Sequence, residues 1–135
     1  MSSQIIAFSL ILLPFFGFSQ ALDLREDLHK ESDGKYYVDS TNVIYSGSAF
    51  AKYKTGEIGM EGSIKDGLFN ELWTWWYING TKKRETLYSN GKKNGYSYWW
   101  HKNGVKKMEV KYYNNNSISQ QLWDEKGNEI PNRKF

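Results

Sequence analysis

Along most of the chain, large apolar side chains alternate with polar ones, and glycine or asparagine breaks the alternation at short intervals. In Tyr96-Ser97-Tyr98-Trp99-Trp100 the two tyrosines and Trp100 fall on one side of an extended chain. Met108, Val110 and Tyr112 do the same a little further on. A period of two marks half-buried strands. Asn-Gly, Asp-Gly and Thr-Gly pairs between these runs supply the positive φ that tight hairpins need. The pattern predicts an all-β chain, an antiparallel meander of short hairpins.

The hairpins repeat. Tyr53-Lys54-Thr55-Gly56 recurs as Tyr77-Ile78-Asn79-Gly80, His101-Lys102-Asn103-Gly104 and Asp124-Glu125-Lys126-Gly127, with glycine spacings of 24, 24 and 23. Glu61, Glu85 and Glu109 follow the first three turns at one fixed distance. A second turn, Asp66-Gly67, returns as Asn90-Gly91 and in altered form as Asn114-Asn115-Asn116. Trp75 matches Trp99, Trp76 matches Trp100, and Tyr88 matches Tyr112. One hairpin alone is marginal in water, so the units should stack in register and bury a shared face. Roughly eight strands at about 4.8 Å give an elongated single-layer sheet or solenoid on the order of 35 Å long. The polar run Asn114 to Gln121 reads as a terminal cap.

Residues 1–19 carry no charge, and Ile5 to Phe18 is apolar except at Ser9, Pro14 and Gly17. The run is short for a bilayer span and suits the apolar centre of a signal peptide, cut between Ser19 and Gln20. The expectation is export to the periplasm, the outer envelope or the medium. The competing reading keeps the segment as an N-terminal anchor. Residues 20–33, with Leu22, Leu24 and Leu28, form a lead-in that reads equally as a short helix or an extended segment. The repeats occupy 34–130 and a tail 131–135.

Composition narrows the function classes. The 135 residues suit one domain. The absence of cysteine removes disulfides and thiolate chemistry. A net charge of +3 with mixed signs argues against nucleic acid as a partner. Aromatics at 17% supply enough apolar surface to exclude a disordered chain.

Reactive groups are sparse. His101 occupies a turn slot held by Tyr53 and Tyr77, which points to packing rather than ligation. In-register stacking spaces Glu61, Glu85 and Glu109 about 10 Å apart, too wide for paired hydrolase carboxylates or a shared metal. They are expected to face lysines on neighbouring strands. Lys82, Lys83, Arg84, Lys106 and Lys107 read as a solvated edge that blunts sheet pairing, with an anionic lipid surface as the functional alternative. No catalytic residue, metal or cofactor is predicted. Trp75 and Trp76 point to opposite faces of the sheet, so one tryptophan column forms core and the other offers a surface. Trp73, Trp75 and Tyr77 make the more aromatic face. With Trp99 and His101 they are the candidate partner-binding set. Gly56, Gly67, Gly80, Gly91, Gly104 and Gly127, with the three glutamates, are assigned structural roles in the repeat.

The repeat Trp75-Trp76-Tyr77-Ile78-Asn79-Gly80, Glu85, Tyr88-Ser89-Asn90-Gly91-Lys92-Lys93-Asn94-Gly95, returning as Trp99-Trp100-His101-Lys102-Asn103-Gly104, Glu109 and Tyr112, resembles the MORN-repeat variant family. It is most similar to the YwqK-like antitoxin-type proteins of bacteria. The lead-in Asp33-Gly34-Lys35-Tyr36-Tyr37 is similar to the opening of those proteins, and the resemblance covers about residues 33 to 130. Glu71 stands where Gly47 and Gly95 set the pattern, and Lys52 stands in the tryptophan column. The resemblance implies stacked hairpins that act as a binding or scaffolding surface, with protein contacts and membrane or lipid association. The function expected from sequence is non-catalytic binding of a protein or envelope component through an aromatic sheet face. Alternatives are a glycan-binding module that stacks Trp and Tyr on sugars, a toxin-neutralising antitoxin-like protein, an envelope hydrolase, and self-association through a sheet edge.

Overall fold

The computed structural model describes residues 20–131, and no helix occurs among them. The expected signal peptide over 1–19 therefore lies outside the described residues, as does the tail beyond Pro131. The strands are β1 (Leu22–Asp23), β2 (Leu28–Lys30), β3 (Tyr36–Val38), β4 (Val43–Ile44), β5 (Gly47–Lys52), β6 (Ile58–Lys65), β7 (Leu68–Trp76), β8 (Lys82–Ser89), β9 (Lys92–Trp100), β10 (Lys106–Tyr113), β11 (Asn116–Trp123) and β12 (Glu129–Ile130).

Nine strands form one open sheet in the order β1-β5-β6-β7-β8-β9-β10-β11-β12. From β5 to β12 it is the antiparallel meander that the repeat predicts. Of the two readings of the lead-in the extended one describes it, and β1 runs parallel to β5, with Leu22 opposite Ala49, a pairing that the hairpin repeat does not predict. β2, β3 and β4 form a separate small antiparallel sheet that packs on the first hairpin, so this end of the molecule has two layers instead of one.

The repeat turns share one hydrogen-bond pattern. Gly56, Gly80, Gly104 and Gly127 each donate a backbone N–H to the carbonyl three residues back, at 2.9–3.0 Å, with φ between 84° and 102°. Gly34 does the same to Glu31 at 2.9 Å, so the small sheet is built on a fifth copy of this turn. In the second turn, Asp66-Gly67, Asn90-Gly91 and Asn114-Asn115 all hold positive φ at both residues. The last copy thus keeps the hairpin geometry, because asparagine tolerates the left-handed region better than most residues. Successive hairpins are joined at one period by Gly67 N–H to Tyr45 O, Gly91 N–H to Phe69 O and Asn115 N–H to Lys93 O, at 2.8–2.9 Å.

The register puts Ala49, Gly62, Trp73, Thr86, Ser97 and Val110 in one row across six strands. This row lies on the inner face, and Trp73 and Thr86 have no exposure at all. The Trp73 indole lies over Gly62, where a Cβ would come within 2.3 Å of the ring. It stacks on Phe69 at 3.7 Å between centroids and donates its N–H to Ser63 O at 2.9 Å. Leu28 and Tyr45 are buried with Trp73, Ala49 and Ile64, and Tyr36 and Val38 pack against them. A tryptophan buries about 150–250 Å², worth about 4–6 kcal/mol before the entropy of fixing it is subtracted. This cluster is the core.

Candidate functional site

The opposite, outer face carries no such layer among the described residues. Here Trp76 pairs with Lys82, Trp100 pairs with Lys106, and Trp123 pairs with Glu129. Lysine and tryptophan therefore alternate along one row. The Lys82 ammonium sits 5.2 Å above the Trp100 ring, and that of Lys106 lies 5.0 Å from the Tyr98 ring and 5.2 Å from that of Trp123. Contacts of this kind are worth about 0.5–1 kcal/mol at exposed sites. Tyr96 and Tyr98 stack at 6.0 Å. Beside them Leu72 is 49% exposed, Leu87 41% and Tyr96 43%. A shallow groove of about 340 Å³ at one end is lined by Ile58, Trp76, Tyr77 and Ile78.

The residues nominated from sequence lie elsewhere. Trp73 is wholly buried in the core and has no surface to offer a partner. Trp75 and Trp99 share the inner face with it, half-buried on either side of Arg84. The more aromatic parity in β7 is the core parity, because the small sheet gives it something to pack against.

Tyr77 and His101 clasp one repeat to the next. The Tyr53 hydroxyl donates to Trp76 O at 2.7 Å and that of Tyr77 to Trp100 O at 2.9 Å. His101 Nε2 is 2.9 Å from Trp123 O, so it carries the proton, since a carbonyl only accepts. Imidazole here replaces phenol as the donor in a repeated clasp. In the last turn Asp124 accepts from the backbone N–H groups of Lys126 and Asn128 instead, each at 2.9 Å, and the series ends.

The glutamate column is paired within its own strands. Lys82 Nζ reaches Glu85 at 2.5 Å and Lys106 Nζ reaches Glu109 at 3.1 Å. The expected partners on neighbouring strands are not used, because the lysine three residues earlier is brought alongside by the register shifts near Trp76 and Lys106. Ile58 fills the corresponding place before Glu61, which forms no ion pair among the described residues. Lys82 and Lys106 are thus part of the aromatic face and not a detached basic edge. No group of three metal-ligating side chains occurs among the described residues.

Sequence reasoning missed Trp76, Trp100, Trp123, Tyr96 and Tyr98 as the open set. One signal was available: Lys82 and Lys106 recur at a fixed offset after Trp76 and Trp100. Comparison of the chain with protein-family models, curated proteins and solved structures found no match.

Proposed function

We propose that the protein is an exported, non-catalytic binding protein that holds a protein or envelope partner on its outer sheet face. The observation that carries this reading is the outer-face row of half-buried Trp76, Trp100 and Trp123 with Lys82 and Lys106, next to the exposed Leu72, Leu87 and Tyr96. Tryptophan and tyrosine supply large contact areas at low entropic cost and commonly anchor interfaces. A single-sheet face with this much apolar surface is a place where association releases water. The resemblance to MORN-variant repeats, which implies a scaffold surface, agrees with it. Glycan binding is the second reading, since flat rings stack on sugars. The lysine ammonium groups above Trp100, Trp123 and Tyr98 already occupy ring faces that a sugar would need, which favours a protein partner.

The test compares wild-type protein with a Trp76→Ala/Trp100→Ala double variant in capture from envelope extract and in polysaccharide binding. Specific capture of one partner by the wild type, lost in the double variant and kept in Val43→Ala on the small sheet, supports the proposal. Saturable polysaccharide binding with the same dependence supports the glycan reading. Capture that survives the double variant contradicts both.

A further inference from the structure

The middle repeat departs from its neighbours at three adjoining inner-face positions. Arg84 occupies the slot that is Met60 in the preceding repeat and Met108 in the following one. Thr86 occupies the slot of Gly62 and Val110. Ser97 occupies that of Ala49 and Trp73. The fold therefore accepts apolar residues or glycine at all three places, and a polar group is not needed to build the sheet.

Each of the three carries a buried polar atom without a partner. Arg84 Nε, Thr86 Oγ1 and Ser97 Oγ are buried with no hydrogen bond, and Thr86 and Ser97 are 0% and 1% exposed. Thr86 and Ser97 are directly paired across the strands, and Arg84 lies two residues along β8 on the same face. The Arg84 guanidinium carbon sits over the Trp75 ring, 3.5 Å from its centroid, and the group forms no ion pair among the described residues. Burial lowers its affinity for a proton, and burial raises the pKa of the neighbouring Tyr88 phenol. The Lys93 ammonium, 4.8 Å above the Tyr112 ring, adds a second cation on this face.

An unpaired buried donor costs about 1–3 kcal/mol, and an uncompensated charge more. Three such donors side by side, two of them in slots that hold an apolar residue or glycine in both neighbouring repeats, call for an acceptor. Water satisfies a hydroxyl and the exposed end of the half-buried guanidinium, but it brings no opposite charge to the buried Nε side. A planar guanidinium held over an aromatic ring keeps its N–H edge for the fork geometry that carboxylate and phosphate oxygens match.

We propose that Arg84, with Thr86 and Ser97, forms an oxyanion-binding site on the inner face that takes a carboxylate, phosphate or sulfate group. It is independent of the outer face and does not rest on the function proposed for it. The site binds and does not react. Trp75, in contact with the guanidinium, reports occupancy.

The test titrates the full chain with inorganic phosphate, sulfate and acetate at constant ionic strength, following tryptophan fluorescence and thermal unfolding. The expected result is a saturable fluorescence change with a rise in Tm, and the ranking of the three anions identifies the group. Arg84→Met, which installs the residue of the two flanking repeats, weakens the response by at least about tenfold. Thr86→Val copies Val110, so its fold is preserved, and it weakens binding by a few fold while unfolding no earlier than wild type. Trp100→Ala leaves the response unchanged, which separates this site from the outer face. Absence of a saturable response to any of the three anions overturns the proposal, and so does wild-type binding in Arg84→Met and Thr86→Val.

Discussion

Between β5 and β7 the inner face lies under the three-stranded sheet, and Leu28, Tyr45, Ala49, Ile64 and Trp73 are buried together. Between β9 and β11 it has no second layer among the described residues, and the buried residues are Ser97 and Val110. Backbone pairing is the same in both regions, with ladders at one period. What differs is the side chain that the same slot can hold. Trp73 has a roof of Leu28, Tyr36 and Tyr45 from the second layer, whereas Ser97, one period later, is buried without one. A repeat sheet buries bulk where a terminal element covers it, and its stability should follow the cover and not the hydrogen bonds.

The sharpest way to break this comparison is truncation in each region. Trp73→Ala removes the ring that joins the two layers and is expected to cost about 3–5 kcal/mol in denaturant unfolding. Val110→Ala, in the uncovered region, is expected to cost about 1–2 kcal/mol. Equal losses would mean that the small sheet does not carry the core. Gly62→Ala asks whether the covered region has slack. The new Cβ would lie 2.3 Å from the indole, so a loss of about 1–3 kcal/mol is expected, and a neutral outcome would show that the Trp73 ring can move aside.

Glu71 allows a smaller test. Its φ is 61°, in a column whose other members are Gly47 at 156° and Gly95 at 107°. Glu71→Gly relieves left-handed strain of about 1–2 kcal/mol and loses part of that to chain entropy. A gain of about 0.5–1 kcal/mol in unfolding free energy is expected.

The smallest expected effect concerns the cover itself. His29, in β2, places Nδ1 2.6 Å from Asp39 and Nε2 3.2 Å from Glu31, and its ring stacks on Tyr37. Hydrogen bonding to Asp39 raises its pKa above the usual histidine value, with the Asp39 and Glu31 charges adding to the effect. The stabilisation is complete below the unfolded pKa of about 6.5 and is lost as pH rises through the folded value. Amide exchange in β2 and β3 should therefore quicken beyond the intrinsic rate as pH rises above about 6.5, while β9 and β10 follow only the intrinsic rate. His29→Gln should remove the difference.

The meander was legible because turn and strand signals agreed in every copy: Gly56, Gly80 and Gly104 keep their spacing, and the alternation between them has a period of two. The small sheet was not, because β2 and β4 are only three and two residues long and set up no periodicity. Only the turn at Gly34 gave it away, and that turn is recognisable once its hydrogen bonds are compared with those of the repeats. The choice between Trp75 and Trp76 failed for a related reason. Alternation fixes which residues share a face but not which face is covered, and the cover comes from residues 28–45, outside the regular repeat. Arg84 read as one more member of a lysine-rich run, because the register shift between Trp75 and Trp76 that separates it from Lys82 has no mark in the sequence.

The distinction between the covered core indole and the half-buried tryptophans is most directly measured by hydroxyl-radical footprinting of the native protein, with oxidation rates read by mass spectrometry at each tryptophan. Native-state modification of the half-buried Trp75, Trp76, Trp99, Trp100 and Trp123, with protection of Trp73 until the protein unfolds, is the outcome expected. Native-state oxidation of Trp73 at the rate of Trp100 would mean that the two faces are not inside and outside at all.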